Sequence, residues 1–267
     1  MRGTGDARDH LAPPDVLAGV SVDATYVSLF SGIGGLDLGL DRAGWRCVGQ
    51  VEINPYCRKV LERHWPTVPR FGDIRELTGH EFGTPALVCG GFPCQPVSLA
   101  GLQRGADDER WLWPEFARLL RVLRPALALL ENVPGLLTGG LAEVLGDLAE
   151  IGYDAEWSCI SACAMGAPHS RYRVFVVAYP HRGDGQARLG DQPDWQGSLR
   201  SRDHPAGSSP YRAAWVGGPP DDARMVDGLP DRLDWRNPNT ALGNAVVPEV
   251  AEWIGRQLME VLRTSEV

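Results

Sequence analysis

Tyr26-Val27-Ser28-Leu29-Phe30-Ser31-Gly32-Ile33-Gly34-Gly35-Leu36-Asp37 is the stretch that decides the fold. A β-branched and aromatic run gives way to a glycine-rich turn and then to a helical pattern. That order reads as a buried strand feeding a helix. Glycines at such a turn let a ligand approach the backbone and leave helix N–H groups facing it. The dinucleotide fingerprint wants a third glycine where Asp37 stands, which disfavours NAD. Alone, the turn specifies no chemistry.

Two further strand ends carry chemically able residues. The apolar run Ala86-Leu87-Val88-Cys89 is followed by Gly90-Gly91-Phe92-Pro93-Cys94-Gln95-Pro96. Two glycines and two prolines fix that loop, and a thiol held just past a strand is placed as a nucleophile. A lone cysteine is more often a buried structural residue, so the loop needs company to carry weight. Ala126 to Leu130 supplies it: this apolar strand ends in Glu131-Asn132-Val133-Pro134, a carboxylate and an amide at its C-terminal edge. In open α/β sheets ligands bind at the C-terminal ends of the strands, so the three ends can converge on one cleft.

From Thr25 to about Tyr179 strands and helices alternate, which implies a mostly parallel sheet with helices on both faces, an α/β Rossmann-like fold. Pro114 opens one helix, with Phe116, Leu119, Leu120 and Leu123 on a stripe; Leu141, Val144, Leu145 and Leu148 mark another. Both stripes read as packing faces. Asp154 to Ala162 and Val174 to Tyr179 read as closing strands. A last helix from Pro248, with Val250, Ile254, Leu258 and Val261 on one side, is expected to return to the sheet beside the first strand.

With these residues in order, the chain resembles the DNA (cytosine-5)-methyltransferase family, in a compact bacterial or phage form. Phe30, Gly32 and Gly34 match the family's opening AdoMet-binding motif, with Ile33 and Gly35 in the same turn. Glu52, followed by Ile53, matches the acid that binds the ribose hydroxyls, and Asp73-Ile74 the pair that contacts adenine. Pro93-Cys94-Gln95 matches the catalytic loop and Glu131-Asn132-Val133 the catalytic acid motif. Asp107-Asp108-Glu109-Arg110 through Pro125 resembles the helix between them. Arg171-Tyr172-Arg173 matches the end of the Gln-x-Arg-x-Arg motif, and Gly243-Asn244-Ala245-Val246-Val247-Pro248 the closing motif.

The resemblance implies methyl transfer from S-adenosyl-L-methionine to carbon 5 of cytosine in double-stranded DNA, through a Cys94 adduct with a flipped-out base. It implies Cys94, Glu131, Asn132, Arg171 and Arg173 as the catalytic set. Phe30, Gly32, Ile33, Gly34, Gly35, Glu52, Ile53, Asp73, Ile74, Pro93, Asn244 and Val246 form the cofactor set. It further implies a monomer without metal, with a cognate restriction endonuclease as an implied partner. Two features depart from the family. His169 stands where Gln is usual, and the segment between Arg173 and Gly243, where target recognition normally lies, is short. Methylation of tRNA by the same chemistry, or a non-catalytic DNA- or AdoMet-binding protein of the same fold, are the alternatives.

Composition bounds the rest. A chain of 267 residues holds one good-sized domain with a small appendage. No run approaches the ~18 apolar residues that span a bilayer, and the N-terminal residues lack a signal-peptide core. The six cysteines show no C-x-x-C pair, which favours a reducing, cytoplasmic setting over a disulfide or zinc framework. The net charge of −8 argues against generic nucleic-acid binding. Locally the sign reverses: Pro168 to Val216 holds seven arginines against four aspartates, with no Glu or Lys. Lys59 is the chain's only lysine, so part of this arginine preference is compositional.

The expected organisation is therefore a flexible N-terminal extension over 1–24 and a catalytic AdoMet-binding domain over 25–180. A small, irregular, aromatic- and Arg-bearing target-recognition region follows over 181–237, and a C-terminal segment over 238–267 returns to the catalytic domain.

Overall fold

The computed structural model describes residues 23–93, 111–167, 171–181 and 244–264. Cys94, His169 and the expected recognition region beyond His181 lie outside the described residues. Seven strands form one sheet: β1 (Thr25–Leu29), β2 (Arg46–Val51), β3 (Arg70–Phe71), β4 (Leu87–Gly90), β5 (Leu127–Asn132), β6 (Tyr153–Ser161) and β7 (Tyr172–Pro180). Their order is β3-β2-β1-β4-β5-β7-β6. The first five strands run parallel, while β7 inserts between β5 and β6 antiparallel to both.

Helices α1 (Gly35–Arg42), α2 (Pro55–His64), α3 (Trp113–Leu123), α4 (Leu136–Gly139), α5 (Leu141–Ile151) and α6 (Pro248–Thr264) complete the fold. Strands β1, β4 and β5 are buried throughout, and β4 and Leu127–Leu130 of β5 read as unbroken apolar runs. Successive side chains nonetheless alternate between two cores. Val27, Val88, Leu130 and Val176 pack against Phe116, Leu119 and Leu120 of α3 and Val144 and Leu148 of α5. Their neighbours Tyr26, Leu87, Leu129 and Val177 pack against Leu36 and Leu40 of α1 and Val250, Ile254 and Leu258 of α6. The expected stripes on α3, α5 and α6 are thus packing faces, except that Val261 and Leu145 are only half-buried.

The last helix lies on α1, the helix that follows β1. The approach is close enough to need glycine: a Cβ on Gly39 would fall 2.4 Å from Ala251 Cβ, 2.5 Å from the Pro248 carbonyl oxygen and 2.6 Å from Glu252 N. Trp45 closes the junction by donating its indole N–H to the Gly255 carbonyl at 2.9 Å.

Behind the glycine-rich turn lies a buried polar brace. Asp37, on α1 and fully buried, accepts from Ser28 Oγ of β1 at 2.9 Å and from Gln50 Nε2 of β2 at 2.8 Å. Arg70 Nε of β3 in turn donates to Gln50 Oε1 at 3.1 Å. Burial pushes the Asp37 carboxyl up to about 6 against the downward pull of the two hydrogen bonds.

Gly39→Ala weighs two opposed effects. Alanine in a helix interior gains about 1 kcal/mol over glycine. The extra methyl meets backbone atoms that cannot rotate away, and overpacking of this kind costs about 1–3 kcal/mol. The clash is expected to win, so the urea midpoint of Gly39→Ala should fall below that of the parent at an unchanged denaturant slope.

Candidate active site

The C-terminal ends of β1, β2, β3, β4 and β5 open on one cleft of about 560 Å³, within the range of small-molecule sites. Its lining includes Phe30, Gly32, Gly35, Glu52, Ile53, Asp73, Ile74, Pro93, Glu131, Asn132, Arg173, Asn244 and Val246. The cleft therefore unites residues spread from β1 to the segment before α6. Of the sequence-derived set, Ile33, Gly34 and Arg171 do not line it, and Cys94 lies outside the described residues.

One end of the cleft is built on the glycine-rich turn. Phe30 holds a left-handed backbone, φ +55°, a conformation that non-glycine residues rarely adopt and that concentrates at functional sites. Gly32 has φ +57° and nothing within 4 Å of where a Cβ would point, so its open side faces free space. Gly34 serves the fold instead: a Cβ there would strike Trp65 at 2.5 Å. Gly35 is required by the closing segment, since its Cβ would lie 2.2 Å from the Val246 carbonyl oxygen.

Glu52, just past β2, takes the Gly32 N–H on Oε2 and the Asn54 N–H on Oε1, each at 2.7 Å. Each carboxylate oxygen has two lone pairs, so both retain acceptor capacity toward the cleft. Asn54 also caps α2 through Tyr56 N at 2.9 Å, which fixes this corner. Beside it, burial pushes the Cys57 thiol up to about 12, with Glu52 adding to the effect.

Asp73 follows β3 and caps the single turn Ile74–Glu76 through Arg75 N. The Arg75 guanidinium chelates the same carboxylate, Nε to Oδ1 at 2.9 Å and Nη2 to Oδ2 at 2.6 Å, and holds it below the usual carboxylate range. The turn is clamped from behind by Arg118 of α3, whose Nη1 and Nη2 donate to the carbonyls of Leu77 and Ile74 at 2.7 and 2.9 Å. Sequence reading finds neither arginine. Asp-x-Arg at i, i+2 is a weak local signal for the first; the second pairs with residues more than forty positions away and leaves no local trace.

At the other end, Glu131 and Asn132 close β5. Asn132 Nδ2 donates to the Phe92 carbonyl at 3.1 Å, fastening the loop that leads to Cys94. Gly91 makes room for the acid, since a Cβ there would lie 2.6 Å from Glu131 Oε2. Because β7 is antiparallel, its N-terminal end lies at the same edge as the C-terminal ends of the parallel strands. Arg173 is thereby delivered to Glu131, Nε standing 2.9 Å from Oε1. The two groups form a largely buried ion pair. Burial dominates and pushes the Glu131 carboxyl up to about 7, against the downward pull of Arg173 and Arg171. A proton is thus available on a buried acid near neutral pH, with a cation beside it. Arg171 directs Nη2 to the Ala245 carbonyl at 2.5 Å and so fastens the closing segment to β7.

A parallel sheet with one inserted antiparallel strand and a cleft of this make-up define an α/β methyltransferase-type enzyme fold. The profile of C-5 cytosine-specific DNA methylases matches residues 24–195. The chain belongs to the C-5 cytosine-specific DNA methylase family. It is 34% identical to the Type II methyltransferase M.HgiCII of Herpetosiphon aurantiacus over 62% of this chain and 42% of that one. It is 29% identical to the Type II methyltransferase M.NgoMIV of Neisseria gonorrhoeae over 90% and 98% of the two chains. The chain thus spans less than half the length of the first relative and nearly all of the second. The Entamoeba histolytica methyltransferase EhMeth shares the fold, with a TM-score of 0.58 at 16% identity over 91% and 98% of the two chains.

Glu131 gives the site a pH signature. In the unfolded chain its carboxyl ionises near 4.5, while in the folded protein it keeps its proton to about 7. Its stabilising contribution is full below the unfolded value and is lost as pH rises through the folded one. Thermal unfolding between about pH 5 and pH 8 should therefore fall more steeply in the parent than in Glu131→Gln. Asp37 titrates in the same direction but is common to both proteins, so the difference isolates Glu131.

Proposed function

We propose that the protein methylates carbon 5 of cytosine in double-stranded DNA, using S-adenosylmethionine. The observation that carries this reading is the single cleft that holds Glu52 and Asp73 at one end and Glu131, Asn132 and Arg173 at the other. The cofactor fits the residues present. Glu52 keeps lone pairs for vicinal hydroxyls, Asp73 is a carboxylate suited to an exocyclic amine, and Gly32 leaves its side of the cleft open. When bound, S-adenosylmethionine supplies an electrophilic methyl group.

Cytosine carbon 5 is a poor nucleophile. Addition of the Cys94 thiolate at carbon 6 makes the ring enamine-like, and carbon 5 then takes the methyl group. Loss of the carbon 5 proton to a base expels the thiolate and breaks the sulfur–carbon bond. A thiol suits both halves of the sequence, being a strong nucleophile and a good leaving group. Glu131, protonated near neutral pH, donates to ring nitrogen 3 and offsets charge as the thiolate adds. Arg173 stands beside Glu131, where it can bind the base carbonyl or a flanking phosphate. Asn132 holds the Phe92 carbonyl and with it the start of the catalytic loop. A stacked base cannot enter such a cleft, so the target is flipped out at a cost of a few kcal/mol. The strand ends are committed to this chemistry, which leaves the arginine-bearing segment over 181–237 to read flanking bases.

Cys94→Ser is expected to abolish methyl transfer and to leave S-adenosylmethionine binding intact. The parent should form a denaturation-resistant adduct with duplex DNA containing 5-fluorocytosine. Methylation by the serine variant, or no adduct with the parent, would refute the mechanism.

Glu52→Ala and Asp73→Ala test the cofactor end. Each should weaken S-adenosylmethionine binding by roughly 1–3 kcal/mol in a calorimetric titration, the worth of a hydrogen bond to a charged group. Unchanged affinity in both would move the cofactor elsewhere.

A further inference from the structure

The segment that bears Cys94 leaves the sheet at Phe92 and rejoins the described fold at Trp111. These two residues touch. The buried Phe92 ring meets Trp111 edge to face at 5.4 Å between centroids and 85° between planes. It also meets Trp113 at 5.4 Å and Phe116 at 6.3 Å, and Trp113 stacks on Phe116 at 5.8 Å. Edge-to-face and offset pairs at such distances are attractive beyond the area they bury.

Each indole is also oriented by a carboxylate one turn apart on α5. Trp111 Nε1 donates to Glu143 Oε1 at 2.8 Å, and Trp113 Nε1 to Asp147 Oδ2 at 2.7 Å. The floor is cut to fit, since a Cβ on Gly140 would lie 2.6 Å from Trp111 Cη2. Phe92 is held on the opposite side by the Asn132 amide on its carbonyl. Both ends of the Cys94 segment are therefore fixed to one aromatic stem, and that stem is bolted to β5 and α5. Trp113 opens α3 and belongs to the general core. Trp111 precedes the helix and, among the described residues, is the indole at the mouth of the segment, beside Leu112, which lines the cleft.

We propose that Trp111 is a positioning residue of the reaction: its ring against Phe92, with its N–H on Glu143, sets where the Cys94 segment begins and ends relative to Glu131. The inference rests on the function proposed above. Nucleophilic attack requires a near-attack geometry, and a misplacement of about 1 Å can cost about 100-fold in rate. Trp111 does not touch the cofactor end, so its effect should fall on the rate of addition and spare cofactor affinity.

The test is the single-turnover rate of adduct formation on duplex DNA containing 5-fluorocytosine, with S-adenosylmethionine and DNA saturating. Trp111→Leu, which removes both ring and donor, should lower that rate about 100-fold. Trp111→Phe keeps a ring without the N–H, and Glu143→Gln keeps an acceptor without the charge; both should fall in between. In all three, kcat should drop while calorimetric S-adenosylmethionine affinity and the KM for DNA stay within about twofold of the parent. Parental adduct rates in Trp111→Leu and Trp111→Phe would overturn the proposal. So would a rate loss matched by an equal loss of cofactor affinity, the mark of general damage to the fold. Failure of the parent itself to form an adduct would strike the proposed function instead, so the two readings fail separately.

Discussion

The architecture hangs on a carboxylate that has no solvent and no direct cation. Asp37 is fully buried between α1, β1 and β2, and its charge is met by the Ser28 hydroxyl, the Gln50 amide and its own backbone N–H. Burial of such a group is costly, and the upward displacement of its carboxyl to about 6 records that cost. What it secures is the glycine-rich turn. Helix α1 cannot slide along the sheet without breaking the bonds to Ser28 and Gln50, and Ser28 itself forms part of the cleft floor. Arg70 extends the brace to β3 through Gln50, so the three strands that carry Phe30, Glu52 and Asp73 share one polar strut. The residue that rules out a dinucleotide fingerprint is thus the one that holds this different turn in place.

The reactive end depends on strand direction. Were β7 parallel, its N-terminus would lie at the far edge of the sheet and Arg173 would be a strand's length from Glu131. Inserted antiparallel, it brings Arg173 to the acid and Arg171 to the closing segment at one stroke. The acid is then subject to two fields of opposite sense: burial, which favours the proton, and two guanidinium groups, which oppose it. Burial wins, and the carboxyl comes to rest near neutrality. An exposed Glu beside two arginines would be a plain carboxylate with nothing to donate.

Much of this was legible in the residues. A strand followed by an acid or a glycine turn is a local pattern, and the open-sheet rule sends each such end to one edge. The turn at Phe30, the Cys94 loop and the acid at Glu131 are therefore sent to one cleft by the strand-end pattern alone. The resemblance to a known family supplied Glu52, Asp73, Asn244, Val246 and the two arginines. Other parts were illegible for a definite reason. The Asp37 brace, the Arg118 clamp and the aromatic stem are contacts between residues that periodicity assigns only to a face, not to a partner. Gly34 and Gly35 show the same limit from the other side. Both match a cofactor motif, yet their missing side chains are needed by Trp65 and by the Val246 carbonyl. Asp73, expected at the adenine, also holds a structural place, since Arg75 occupies both its oxygens.

The place of β7 in the sheet also bears on the order in which the chain can assemble. Strands β6 and β7 follow each other closely in sequence and pair along their whole length, so they can zip together locally at little entropic cost. Their docking on β5 joins residues 42–50 positions apart, fewer than the 61 that separate the partners of β1 and β4. Closure of α6 onto α1 spans over two hundred residues, as the Trp45–Gly255 bond illustrates; contacts of such separation are the slow ones in folding. The Asn244–Val246 segment, which lines the cleft, precedes α6 and comes with that closure. Arg173 comes to Glu131 with a sheet pairing of ordinary range, whereas the cleft is closed by the contact of far greater separation. The lining of the cleft is complete only when that most non-local contact closes.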